Sequence, residues 1–152
     1  MKIKNPISKL GKVTSLFGLR IHPITKKKSG HNGIDYAVPI GTKIVAPMDG
    51  VITLINTHAT GGKQLVIKLV NGLALGFAHL SDNAIKNVGD SVKKGEVIAL
   101  SGNTGASTGP HVHLTVTENG DKKNPLEYID IDNNMKEVED EETEPKGKKK
   151  VL

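Results

Sequence analysis

The chain has 152 residues, of which 36% are hydrophobic and 24% charged, which allows one globular domain with or without a tail. It contains no cysteine, which excludes a disulfide scaffold, a thiolate zinc site and a cysteine nucleophile. Its net charge of +5 is uneven, because residues 130–152 hold eight acidic side chains and only five lysines. The basic remainder favours a polyanionic partner, but we expect no nucleic-acid partner because no basic helix or aromatic stacking platform is apparent.

Short β-like segments separated by turn signals follow one another along most of the chain. The predicted strands cover residues 43–46, 51–55, 64–70, 73–80, 97–100 and 111–117. The turn signals include Asp49-Gly50, Asn71-Gly72 and Asn119-Gly120. The one local helical candidate, residues 81–86, amounts to a single turn. This pattern predicts a mainly antiparallel β-sheet or sandwich over residues 1–129.

The two ends of the chain are read for disorder and for targeting signals. Residues 130–152 are charged and contain no aromatic side chain, which predicts a disordered tail that is a linker, a docking peptide or simply solvated. Residues 1–18 begin with a basic stretch but contain no continuous apolar run, so we expect no secretory signal. No run approaches the roughly 18 apolar residues that a membrane span requires. The sequence predicts no oligomeric state.

The segment 111–117, HVHLTVT, alternates strictly between polar and apolar residues. Because strand side chains repeat with a period of two, Val112, Leu114 and Val116 are expected to face the core. His111 and His113 then lie side by side on the opposite face, where a metal ion or a substrate reaches both. The alternation alone does not say which of the two would bind a metal.

Two further segments carry candidate residues. In GHNGID, His31 and Asp35 are four positions apart and project to the same side of an extended chain or of a helical turn. In FAHLS, Ala78 and Leu80 are expected to face the core, which leaves His79 on the other side. Each segment indicates little alone, since turn carboxylates and isolated histidines are common.

Together these segments contain the side chains of a catalytic zinc site. Two neutral imidazoles and one carboxylate hold Zn²⁺ and leave a fourth coordination position open. Two further histidines remain for proton transfer and for stabilising an oxyanion. This set of side chains indicates metal-assisted hydrolysis.

Six stretches between residues 17 and 129 resemble the lysostaphin/LytM-type zinc peptidoglycan endopeptidases: FGLRIHP, GHNGID, PIGTKIVAPMDGVI, FAHLS, GDSVKKGEVIALSGNTGASTGPHVHLTV and NPLEYI. The HxxxD, xHLS and HxH elements occur in the order found in that family. The resemblance implies a lysostaphin-like fold of the barrel-sandwich-hybrid type with a narrow groove, and a zinc peptidase domain over residues 1–129.

The resemblance also implies a role for individual residues. The residues that match the zinc ligands are His31, Asp35 and His113. The residues that match the catalytic histidines are His79 and His111. His22 and His58 match neither set, so we expect them to be structural or surface residues.

We therefore expect a zinc metallo-endopeptidase that hydrolyses bacterial peptidoglycan stem peptides or cross-bridges. Without a signal peptide, such an enzyme would reach the cell wall on a phage particle or after lysis, which predicts virion tail proteins as partners. Two alternatives stay open: a non-hydrolytic structural or wall-binding protein of the same fold, and a carrier module. The carrier alternative arises because PIGTKIVAPMDGVI and GDSVKKGEVIAL also resemble the paired hairpins of biotinyl and lipoyl domains.

Overall fold

A computed structural model describes residues 2–8, 11–21, 28–82 and 85–131. These residues form strands joined by turns, together with one 3₁₀ turn at Pro125–Glu127. In chain order the strands are β1 (Ile3–Lys4), β2 (Lys12–Ser15), β3 (Gly18–Ile21), β4 (Lys28–His31), β5 (Ile34–Ala37), β6 (Lys43–Val45), β7 (Gly50–His58), β8 (Gly62–Leu69), β9 (Ala74–Leu80), β10 (Ser91–Val92), β11 (Val97–Leu100), β12 (Val112–Glu118), β13 (Asp121–Lys123) and β14 (Ile129–Asp130). Within the described ranges, no helix has the length and apolar character needed to cross a membrane.

Most of the strands belong to one antiparallel sheet. Its strand order is β10, β7, β8, β9, β12, β5 and β2. β13 extends this sheet by pairing with the end of β12 beyond the reach of β5. Smaller two-stranded sheets join β11 to β6, β3 to β4 and, in parallel, β1 to β14. The predicted mainly antiparallel β fold is confirmed.

Alternating aliphatic side chains hold the central strands against the core. The core-facing residues of β12 are fully buried, as predicted: Val112, Leu114 and Val116. One face of β8, within the predicted strand 64–70, is buried in the same way: Leu65, Ile67 and Leu69. Each such side chain contributes about 1.5–3 kcal/mol when it is removed from water. Burial of one face of β12 therefore leaves its other, polar face directed away from the core.

The strands β1 to β5 were not predicted. The segment that forms β5 contains a carboxylate, and Ile34 and Tyr36 on either side of Asp35 are fully buried. β5 is held by β12 on one side and by β2 on the other. Both partners are distant in sequence, so no local pattern indicated this strand.

Two predictions extend beyond the described residues. The one-turn helix candidate includes residues 83–84, and the predicted tail is described only as far as residue 131. Asp130 pairs with Lys4, so β14 spans the predicted boundary between residues 129 and 130. The division into a domain and a disordered tail stays a prediction.

Candidate metal centre and active site

The three residues that match zinc ligands meet on the polar face of the sheet. β5 and β12 are adjacent, and their register places Asp35 directly beside His113. Asp35 Oδ1 lies 2.9 Å from His113 Nδ1 and 3.5 Å from His31 Nε2. One ligand atom from each of the three residues lies within 4.8 Å of the other two. We call these three residues the metal cluster.

An oxygen acceptor fixes the ring orientation of each imidazole in the metal cluster. His31 Nδ1–H donates to the Leu16 carbonyl at 2.8 Å, and His113 Nε2–H donates to Asn32 Oδ1 at 2.9 Å. His31 Nε2 and His113 Nδ1 therefore point toward the carboxylate of Asp35. Such outer partners are typical of metal-binding histidines, because they select the tautomer that leaves the inner nitrogen unprotonated.

The surroundings of His113 suit a metal ion beside Asp35. Oxygen atoms face both ring nitrogens of His113, whereas a neutral imidazole carries only one N–H. With Nε2–H donating to Asn32, a metal ion would take the place of a proton between His113 Nδ1 and Asp35. Two imidazole nitrogens and one carboxylate are donors that Zn²⁺ accepts, so the residues present fit a zinc ion.

Asp35 is ionised at neutral pH. Burial raises the pKa of its carboxyl group, but the hydrogen bond from His113 and the charges of His113, His31 and His111 outweigh burial and lower the pKa below its ordinary value of 3.8. A carboxylate is the form that binds a metal ion.

The two histidines that match catalytic residues form a second pair beside the metal cluster. The ring centroids of His79 and His111 are 4.6 Å apart. His79 Nδ1–H donates to the Thr104 carbonyl at 2.7 Å, and His111 Nδ1–H donates to the Gly109 carbonyl at 2.8 Å. In the neutral form each ring therefore presents an unprotonated Nε2. His111 Nε2 lies 3.9 Å from Asp35 Oδ1, which joins the pair to the metal cluster.

The prediction for the end of β9 was wrong at Ala78. The register places Ala78 opposite His113, on the groove side of the sheet rather than toward the core. His79 follows with a φ of 61°, an unusual backbone conformation for a residue that is not glycine. This conformation interrupts the alternation, so that Ala78 and His79 both line the same groove.

A glycine contact sets the position of the loop that holds His79. Gly105 has a φ of 79°, and a Cβ atom there would lie 2.4 Å from the backbone nitrogen of Gly62. The Thr104 hydroxyl accepts from the Lys63 N–H at 3.0 Å and donates to the Leu80 carbonyl. These contacts fix Thr104, whose own carbonyl accepts from His79. In the sequence this segment lies between two predicted strands, and no pattern there indicated that it orients the His79 ring.

The four histidines line a groove of about 730 Å³ on the sheet face. The residues that line it also include Asn32 and residues 106–108. His58, expected to be structural or at the surface, is exposed outside the metal cluster and borders this groove. Its Nδ1 accepts from the Thr60 N–H at 3.2 Å. His22 lies outside the described residues.

The sequence matches the family model of peptidase family M23 over residues 29–125. The chain belongs to peptidase family M23. The matched range contains the metal cluster and the pair formed by His79 and His111. The predicted family is confirmed.

Similar proteins support the same assignment. The chain is 38% identical over 122 residues to the peptidoglycan DD-endopeptidase ShyA of Vibrio cholerae, covering 80% of this chain and 28% of the relative. A zinc-containing peptidase from Vibrio cholerae matches with a TM-score of 0.75 at 33% identity, over 83% of this chain and 40% of that one. The catalytic domain of lysostaphin from Staphylococcus simulans matches with a TM-score of 0.66 at 30% identity, over 77% of this chain and 90% of that one.

The similarity to the curated relatives covers only part of their length. The chain spans about a quarter of the length of the curated relatives that it matches. The lysostaphin-like fold and a zinc-type peptidase domain, both predicted from the sequence, are confirmed at the level of the M23 family. The roles of individual residues stay predictions.

Proposed function

We propose that this M23 domain is a zinc metallo-endopeptidase that hydrolyses peptide bonds in bacterial peptidoglycan stem peptides or cross-bridges. One observation carries the proposal: the metal cluster lies beside two further histidines in an open groove. The peptidoglycan substrate is supported by the name of the relative ShyA. The groove is large enough for a peptide and lies along the half-buried polar face of β12.

In this proposal His31, Asp35 and His113 hold the metal. When bound, zinc supplies Lewis acidity that polarises a carbonyl group and lowers the pKa of water. The hydrogen bonds from His31 to Leu16 and from His113 to Asn32 hold the two imidazoles in the orientation that this binding needs. No backbone movement is required to bring the three side chains together.

His79 and His111 act on the substrate through their Nε2 atoms. A neutral ring whose Nδ1–H is held by a backbone carbonyl accepts a proton at Nε2, which suits a general base. A protonated ring donates from Nε2, which suits stabilisation of an oxyanion. The pair can thus supply one base and one donor, and the geometry is compatible with either assignment.

Digestion of purified peptidoglycan tests this function. The purified chain is expected to release peptide fragments whose masses show one kind of cleaved peptide bond. A chelator should stop release, and added Zn²⁺ should restore it. Absence of any fragment from a zinc-loaded, folded protein would contradict the proposal and favour the non-hydrolytic, wall-binding alternative. A covalently attached cofactor in the intact mass would favour the carrier alternative.

Action at the bacterial cell wall follows from the proposed substrate. Carriage on a phage particle, release by lysis and contact with virion tail proteins stay predictions. Detection of the chain in purified virions by mass spectrometry would test them.

A further inference from the structure

One end of the groove carries positive charge away from the metal cluster. β12 leaves His113 and presents Thr115 and Thr117 on the same face, because strand side chains alternate. Lys122 on β13 is the register partner of Thr117, and its Nζ donates to Thr117 Oγ1 at 2.8 Å. Lys122 lines the same groove as the metal cluster.

A second lysine lies on the other side of this position. Thr117 pairs with Ala74 of β9, and Ala74 pairs with Lys68 of β8. Directly opposed residues in antiparallel strands project from the same face. Lys68 is exposed on the same face, just outside the groove, and Ala74 lies between its strand position and Thr117. We call Lys68 and Lys122 the lysine pair.

The carboxylates of the β12–β13 hairpin do not neutralise Lys122. Glu118 and Asp121 pair with each other and alternate to the opposite face of the sheet. There Glu118 accepts a hydrogen bond from the Tyr128 hydroxyl at 2.8 Å. Among the described residues that line the groove, Asp35 is the one carboxylate, and it belongs to the metal cluster. The groove therefore attracts an anionic group at Lys122, and Lys68 adds positive charge nearby on the same face.

We propose that the lysine pair binds a free carboxylate of an extended peptide whose scissile bond lies at the metal cluster. The strand rises about 3.4 Å per residue, so the four residue steps from His113 to Thr117 span about 14 Å. An extended substrate covers that distance in about four residues. The proposal rests on the proposed function and deepens it, because it selects acidic peptides over neutral ones.

Two matched peptides test this subsite. They carry the sequence cleaved in peptidoglycan and differ only in a free carboxylate or a carboxamide, placed about four residues from the scissile bond. We expect kcat/KM for the carboxylate peptide to exceed that for the carboxamide by about five-fold, the size of a favourable exposed ion pair. The preference should decrease at 1 M salt, where the screening length is only about 3 Å.

Adjacent lysines provide a matched control. Lys122→Gln should remove the preference, and Lys122→Glu should reverse it. Lys123→Gln makes the same charge change one residue away, but Lys123 pairs with the buried Val116 and so belongs to the opposite face. This control should keep the preference. Lys68→Gln should reduce it.

The outcomes separate the subsite from the proposed function. Equal cleavage of both peptides by the unmodified protein would overturn the subsite and leave the function intact. Equal loss of activity on both peptides in Lys122→Gln would also overturn it, because that result indicates a structural role. If neither peptide is cleaved, the proposed function fails, and calorimetric affinities then decide the subsite. Tighter binding of the carboxylate peptide would support it, and equal affinities would overturn it.

Discussion

Asp35 Oδ1 lies 2.9 Å from His113 Nδ1, although 78 residues separate the two in the sequence. They meet because β5 and β12 pair with these residues in register. His31 joins them from the end of β4, one tight turn before β5. The main sheet thus holds Asp35 beside His113, and the short turn between β4 and β5 adds His31. The hydrogen bonds behind the two imidazoles leave their inner nitrogens facing one point. Four predictions test this arrangement and the loop beside it.

Removing one donor should empty the proposed metal site. His113→Ala leaves one imidazole and one carboxylate, which is too few protein ligands for a catalytic zinc site. We expect loss of both bound zinc, measured by metal analysis, and peptidoglycan hydrolysis. His58→Ala is the control, because this exposed histidine lies outside the metal cluster and its loss should leave the zinc content unchanged. Full zinc occupancy in His113→Ala would remove His113 from the ligand set.

Removing a histidine of the neighbouring pair should affect the reaction without affecting the metal. His111→Ala retains all three donors of the metal cluster but lacks the imidazole that lies beside Asp35. Loss of a general acid or base typically lowers a rate by about 10²–10⁴-fold. We therefore expect stoichiometric zinc and a decrease in kcat of that size. An unchanged kcat would refute a catalytic role for His111.

Asn32 should tune metal affinity through His113. Its Oδ1 accepts from His113 Nε2, and loss of such an outer partner typically weakens metal binding by about 10–100-fold. Asn32→Ala should raise the zinc dissociation constant accordingly, as measured by competition with a chelating dye. Asn32→Asp keeps an acceptor oxygen and should bind zinc at least as tightly as the unmodified protein. Equal affinity in all three proteins would exclude a positioning role for Asn32.

The contact between Gly105 and Gly62 should be sensitive to a single methyl group. Gly105→Ala forces a side chain into a left-handed conformation, which costs about 1–2 kcal/mol, and places Cβ against the backbone of Gly62. We expect the free energy of unfolding to fall by at least about 2 kcal/mol in denaturant titrations. Gly109→Ala is the control, since no atom lies within 4 Å of its added Cβ. Equal stability of the two variants would show that the loop adapts freely.

Local sequence pattern was sufficient for much of the fold. The alternation in HVHLTVT predicted which face of β12 is buried, because a period of two is a property of the extended backbone itself. Asn71-Gly72 predicted the turn between β8 and β9, and Gly72 has the positive φ, 93°, that such a turn requires. The alternation between core and groove breaks between Ala78 and His79, where His79 has a positive φ. Its N–H and Nδ1–H donate to the carbonyl groups of Gly61 and Thr104, which are distant in sequence.

For the site, the sequence identified the candidate histidines and Asp35 but not the groups that orient them. Spacing brought His31 and Asp35 to one side and His111 and His113 to one face, and the family resemblance supplied roles for them. The acceptors Leu16, Asn32, Thr104 and Gly109, which select the imidazole tautomers, had no pattern of their own.

The sequence pattern did not indicate the lysine pair either. Lys68 and Lys122 share one face of the sheet near the end of the groove only because β8, β9, β12 and β13 pair in a particular register. Periodicity is encoded by neighbours along the chain and can be read from them. Register is decided by which strands the whole core brings together, and so it exists only in the folded molecule.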